Sequence, residues 1–165
     1  MGSGETPDID DAEDPRPAHG RPFVPPGFQP PVAPLRPDVW LEPLGPQHND
    51  ADYEAWTSSM EHIHATPGFE QKIWPHPMTP DQNLADLERH ARHFEQRLGF
   101  TYTVLDAPGG EVIGCVYIYP STDPAVDADI RSWVRESHAS LDADVATIIA
   151  TWLRDEWPFA TVTYR

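Results

Sequence analysis

At 165 residues the chain has room for one domain around a single hydrophobic core. Its formal charge of −16 repels phosphate backbones and anionic headgroups, and no basic stripe offsets it, so nucleic acid and membrane surfaces are excluded as main partners. The one cysteine, Cys115, excludes an intrachain disulfide, fits a cytoplasmic setting and, inside an apolar strand, reads as a small buried hydrophobe.

Residues 1–37 hold half of the 20 prolines, the acidic run Glu5, Asp8, Asp10, Asp11, Glu13 and Asp14, and few aliphatic side chains. Such a segment buries too little apolar surface to offset its ordering entropy, which predicts a disordered acidic tail at 1–37 and a folded domain at 38–165. Residues 1–6 satisfy the loose N-myristoylation pattern, but the acids that follow repel anionic lipid and argue against an anchor. Phe23-Val-Pro-Pro-Gly-Phe28 is extended by its prolines and is suited to laying two rings on the domain or on a partner.

Residues 39–44 read as a short strand, placed near a strand end or an edge by Pro43, and Gly45-Pro46 turns the chain. Tyr53, Trp56, Met60 and Ile63 recur three and four apart, which predicts one helix over 50–64 stopped by Thr66-Pro-Gly68. Residues 69–78 form a loop around Trp74. Thr79-Pro-Asp-Gln82 is a capping box with proline at the first helical position. The helix it starts carries the stripe Leu84, Leu87, Ala91, Phe94 and Leu98 and stops at Gly99.

The best-marked stretch comes next. Phe100, Tyr102 and Val104 alternate with Thr101, Thr103 and Leu105; Gly109-Gly110 turns the chain; and residues 111–119 are apolar on both faces, as in a central strand of a hairpin. Ile130, Ser132 and Val134 then alternate with Arg131, Trp133 and Arg135 in a further strand. Val145, Ile148, Ile149, Trp152, Leu153 and Trp157 mark a helix with Ser140 or Asp142 as its cap, and residues 160–164 are a fifth, final strand. A strand, helix, strand unit of this length implies a right-handed parallel crossover.

This order of elements, with Leu41-Glu-Pro-Leu44, Ala51-Asp-Tyr53, Trp56, Glu111-Val-Ile-Gly114 and Ser132-Trp-Val134, resembles the GCN5-related N-acetyltransferases (GNAT) over residues 39–164. The branch that modifies protein N-termini and antibiotics is the nearest match. The resemblance implies an α/β fold, a GNAT-like mixed sheet with helices on both faces, truncated after the fifth strand because family members continue with a helix and two strands. It also implies acetyl transfer from acetyl-CoA to a primary amine of a small molecule or peptide. Its pantetheine arm would lie in a notch between two splayed parallel strands, against Trp133, Val134 and Arg135. Its diphosphate would meet the loop over 135–144, with Ser137 and His138 among the contacts.

That loop has no glycine to turn successive N–H groups inward, and Asp142 and Asp144 place negative charge at the helix start. Two unit charges 4 to 6 Å apart repel by roughly 3 to 4 kcal/mol at an effective dielectric near 20. Arg135 and His138 are the side chains suited to contact phosphate directly. Proton removal from an ammonium calls for a carboxylate or imidazole near the notch, and Asp129, Glu136 and His138 are the candidates by position. His62-Ile-His64 and His90-Ala-Arg-His93 match no metal-site spacing, so no metal is expected. A second reading stays open: a non-catalytic GNAT-like module for protein–protein or self-association, with a homodimer formed through the open edge of the last strand.

Overall fold

The computed structural model describes residues 8–32 and 34–165, so the myristoylation pattern lies outside it. Six strands pair in chain order into one sheet: β1 (Pro34–Arg36), β2 (Val39–Pro43), β3 (Phe100–Leu105), β4 (Val112–Pro120), β5 (Ala128–Val134) and β6 (Val162–Thr163). Every neighbouring pair is antiparallel except β5 and β6, which run parallel because α4 (Asp142–Glu156) carries the chain back across the sheet. No helix among the described residues is long and apolar enough to cross a membrane.

The sheet divides the core in two, as the expected helices on both faces require. On one face Val145, Ile149, Trp152 and Leu153 of α4 pack with Tyr102, Val104, Val116, Ile118 and Ile130. On the other, α1 (Asn49–Thr57), α2 (Met60–His64) and α3 (Pro80–Glu95) bring Trp56, Ile63 and Leu87 against Cys115, Tyr117, Tyr119 and Trp133. Cover on both sides buries β3 at all six positions, Thr101 and Thr103 included, so its alternating sequence does not correspond to a wet face.

Five features differ from the sequence expectations. Residues 8–32, read from composition as part of a disordered tail, lie along the domain. Phe23 and Val24 are buried, Phe23 stacks at 5.9 Å on Phe100 and at 5.1 Å on Phe159, and Phe28 meets Trp157 at 5.0 Å. Two aromatic anchors thus supply the apolar contact that average composition conceals. Continuing, Pro34–Arg36 adds β1 beside β2, so β2 is not an edge.

The predicted helix over 50–64 is two helices. Ser58 and Ser59 break it, with Ser59 at φ −135° and its side chain accepting the N–H of Glu136. The Thr79–Gln82 capping box forms in full, but α3 ends at Glu95 and the left-handed residue after it is Arg97 (φ 63°). Gly99 is needed for space instead: a Cβ there would run into the Tyr119 ring. Finally, a 3-10 helix over Glu136–Leu141 precedes α4, which starts without a side-chain cap.

Candidate functional site

β5 and β6 pair only at Ala128 with Val162 and Asp129 with Thr163, then part. The N–H of Arg135 bonds the carbonyl of Ile113 on β4, so by the antiparallel alternation Arg131, Trp133 and Arg135 spend their backbone groups on β4. Ser132 and Val134 turn theirs toward the notch. There the Ser132 carbonyl accepts from the Arg165 guanidinium at 2.9 Å, and the same guanidinium bonds Asp142 at 2.9 Å at the start of α4. The Tyr164 hydroxyl meets Ser132 Oγ at 2.5 Å, and burial raises this phenol above its ordinary range despite the bonds from Ser132 and Arg165. The Val134 carbonyl accepts from His62 Nε2 at 3.1 Å. Two inward-facing backbone acceptors of the notch are therefore held by side chains of this chain.

The residues singled out from the sequence fall into three groups. Glu136, Ser137 and His138 lie together in the 3-10 helix at the mouth, with Ser137 Oγ 2.9 Å from His138 Nδ1. Trp133 and Arg135 point to the opposite face of the sheet from Ser132. The buried Trp133 indole donates to the Tyr117 hydroxyl at 3.1 Å, and Arg135 donates to Glu54 at 2.7 Å and Glu111 at 3.0 Å. This pairing spends the guanidinium expected to meet phosphate. Val134 is a core residue whose contribution to the notch is backbone alone. Asp129 sits at the paired, closed end of β5, roughly 20 Å of extended strand from Glu136, and is not brought together with it.

A second polar assembly lies under α3, where hydropathy did not point. The buried positions of that helix are Asn83, Leu87, His90 and His93, a stripe rotated from the predicted one. Asn83 accepts from the Trp56 indole at 3.0 Å and donates to Asp52 at 3.1 Å. Burial pushes the Asp52 carboxyl up to about 7, with Asn83 resisting and Asp86 adding to the rise. The Tyr119 hydroxyl lies 2.9 Å from His90 Nδ1 and 2.8 Å from His93 Nδ1. Burial, then the nearby Arg89, His93 and Arg131 charges, keeps His90 well below its ordinary range and so neutral. Asn83, Leu87, His90 and His93 have the same helical spacing as an apolar stripe, and that spacing was the available signal.

Arg131 borders this assembly from β5, its guanidinium 5.3 Å from the Phe69 ring and 5.5 Å from the Tyr117 ring. It donates to Asp10 at 2.7 Å, while Lys72 donates to Asp8 at 2.9 Å and Arg89 to Asp11 at 3.3 Å. Between these groups a cavity of about 30 Å³ remains, enough for about one water.

No protein-family model and no curated protein matches the sequence. Solved structures match the fold. The ribosomal alpha-N-protein acetyltransferase RimL in complex with coenzyme A superposes with a TM-score of 0.56 at 12% identity, over 75% of this chain and 68% of that one. The microcin self-immunity acetyltransferase MccE, in complex with acetyl-CoA and AMP, gives 0.55 at 9% identity, over 76% and 68%. A ribosomal-protein-alanine acetyltransferase from Vibrio fischeri gives 0.54 at 12% identity, over 75% and 67%. With its mixed sheet, its helices on both faces and its one parallel pair that parts into a notch, the chain has the fold of the GCN5-related N-acetyltransferases.

Proposed function

We propose that the chain is a GNAT-type N-acetyltransferase, moving the acetyl group of acetyl-CoA to a primary amine of a cytoplasmic small molecule or peptide. The parting of β5 and β6 after Asp129 and Thr163 carries this reading, because it leaves the backbone of Ser132 and Val134 without strand partners on that side, where an extended arm would pair. The strand half of the notch fits a pantetheine arm once Arg165 leaves Ser132. The helix start does not fit a diphosphate: it has no glycine, Asp142 and Asp144 stand at its first turn, and Arg135 is bound elsewhere. No chemical step is therefore derived through the donor. On the acceptor side, Glu136 and His138 at the mouth are the groups suited to take a proton, and Tyr164, held protonated by burial, is suited to give one.

Titrating acetyl-CoA and CoA while following thermal unfolding tests the reading. Ligand at 100 times its dissociation constant adds about 2.7 kcal/mol, so a rising midpoint is expected, and no shift at millimolar CoA would sink it. The Arg165 bridge from Ser132 to Asp142 favours a second reading, a non-catalytic module that associates through the exposed β6 edge. That reading expects no CoA response and a dimer by sedimentation.

A further inference from the structure

We propose that the groove between α3 and the loop over 69–78, floored by Arg131, is a recognition site for an acidic peptide, and that residues 8–13 of the chain occupy it in cis. The inference stands whether or not the notch transfers acetyl groups.

The charge distribution is the first argument. The chain carries only 11 lysines and arginines against a formal charge of −16, yet Lys72, Arg89, Arg92 and Arg131 all face this one short acidic segment. In so acidic a molecule, an acidic run without a built seat would be pushed off the surface rather than drawn in.

The seat reads the peptide residue by residue. Asp8 pairs with Lys72, Asp10 with Arg131 and Asp11 with Arg89, whose Nε also donates to the Asp10 carbonyl at 3.2 Å. His93 Nε2 donates to the Glu13 carbonyl at 3.3 Å, so backbone as well as side chains is recognised. Ile9 adds an apolar contact with the core cluster on this face of the sheet. Arg131 is the fixed point: ring faces of Phe69 and Tyr117 orient its guanidinium, and a cation this buried needs an anion at its open end.

The occupant is held at two depths: Asp10–Arg131 and Asp8–Lys72 are largely buried, whereas Asp11–Arg89 and Glu13–Arg92 lie at the groove's rim. Asp11 and Glu13 are largely exposed, and the cavity of about 30 Å³ beside Asp10 and His90 shows that the segment does not fill its seat. Rim ion pairs exchange readily and weaken with salt. A peptide in trans with acids spaced like Asp8, Asp10 and Asp11 therefore competes for the same cations.

The test uses the full chain and a fluorescent peptide copying residues 5–16. The triple variant Asp8→Asn, Asp10→Asn, Asp11→Asn is expected to bind this peptide at least tenfold more tightly than the unmodified chain does, because its own segment no longer competes. Adding Arg131→Gln should abolish the gain, and a peptide with asparagine at the three positions should not bind. A triple variant that binds no better than the unmodified chain, or an asparagine peptide that binds as well as the acidic one, would overturn the proposal. Should the triple variant lose its near-ultraviolet dichroism, the single Asp10→Asn variant takes its place with the same expectation. Independently, hydrogen exchange at residues 11–13 of the unmodified chain, whose ion pairs lie at the rim, should rise at least tenfold between about 0.05 and 1 M salt, where the screening length falls to about 3 Å. Exchange at residues 11–13 that is indifferent to salt would overturn the salt-labile hold of this rim end of the segment.

Discussion

Asp52 and His90 line the same small cavity and titrate in opposite senses. Burial raises Asp52 from 3.8 to about 7, so its stabilising contribution is complete at acid pH and is lost as pH rises through that window. Burial lowers His90 well below 6.5, so its contribution is present above 6.5 and is lost as pH falls. Between 3.8 and 6.5 the two oppose each other and flatten the stability profile. Asp52→Asn keeps a carbonyl for Asn83 and removes one side of the balance. We predict that this variant is more stable than the unmodified chain at pH 7.5, by about 1 to 3 kcal/mol, and loses stability more steeply on acidification below 6.5. Thermal midpoints across pH check both, and a variant with the unmodified profile would contradict them. Tyr119→Phe removes the hydroxyl between His90 and His93 and should cost about 1 to 3 kcal/mol, measured by urea unfolding. Only the helical spacing of Asn83, Leu87, His90 and His93 pointed here from the sequence, because histidines three apart on a helix look alike whether they face water or a tyrosine 26 residues away.

At the scale of elements, the sequence was most informative where a local rule fixes the answer. The capping box at Thr79 and Gln82, the hairpin from Phe100 and the alternation of Ile130, Ser132 and Val134 are each decided within a few residues. Thr79→Ala should accordingly cost about 1 kcal/mol. The misreadings came from non-local forces. The 50–64 periodicity runs on through Ser58 and Ser59, but the helix breaks at Ser59 (φ −135°), where the side chain accepts the Glu136 N–H from across the fold. β1 begins at a proline and has no alternation to read; its pairing with β2 defines it. Residues 8–32 lie along the domain although composition points to disorder, because composition averages over a segment whose anchors are two rings. Phe23→Ala tests this directly: packed between Phe100 and Phe159, the ring's removal should cost about 3 kcal/mol, whereas a disordered tail would lose nothing.

At the scale of the whole molecule, the sequence resemblance and the fold agree, and the notch expected from the resemblance lies between β5 and β6. Its detail was only partly legible. The absence of glycine over 135–144 and the acids at Asp142 and Asp144 were visible in the sequence, and both stand at the notch mouth. The bridge from Arg165 to Ser132 and Asp142 was not, since it depends on how a strand end crosses a gap. Nor was the turning of Arg135 to Glu54 and Glu111, a consequence of which face of β5 the odd-numbered residues take.

Whether the notch is a ligand site that Arg165 closes is tested most directly by calorimetric titration of acetyl-CoA into the unmodified chain and the double variant Arg165→Ala, Asp142→Asn, which opens the notch without baring the carboxylate that Arg165 neutralises. Freeing the Ser132 carbonyl and removing the Asp142 charge together should allow the double variant to bind acetyl-CoA at least tenfold more tightly than the unmodified chain. Equal affinity of the two proteins, or no binding by the unmodified chain at millimolar acetyl-CoA, would contradict this.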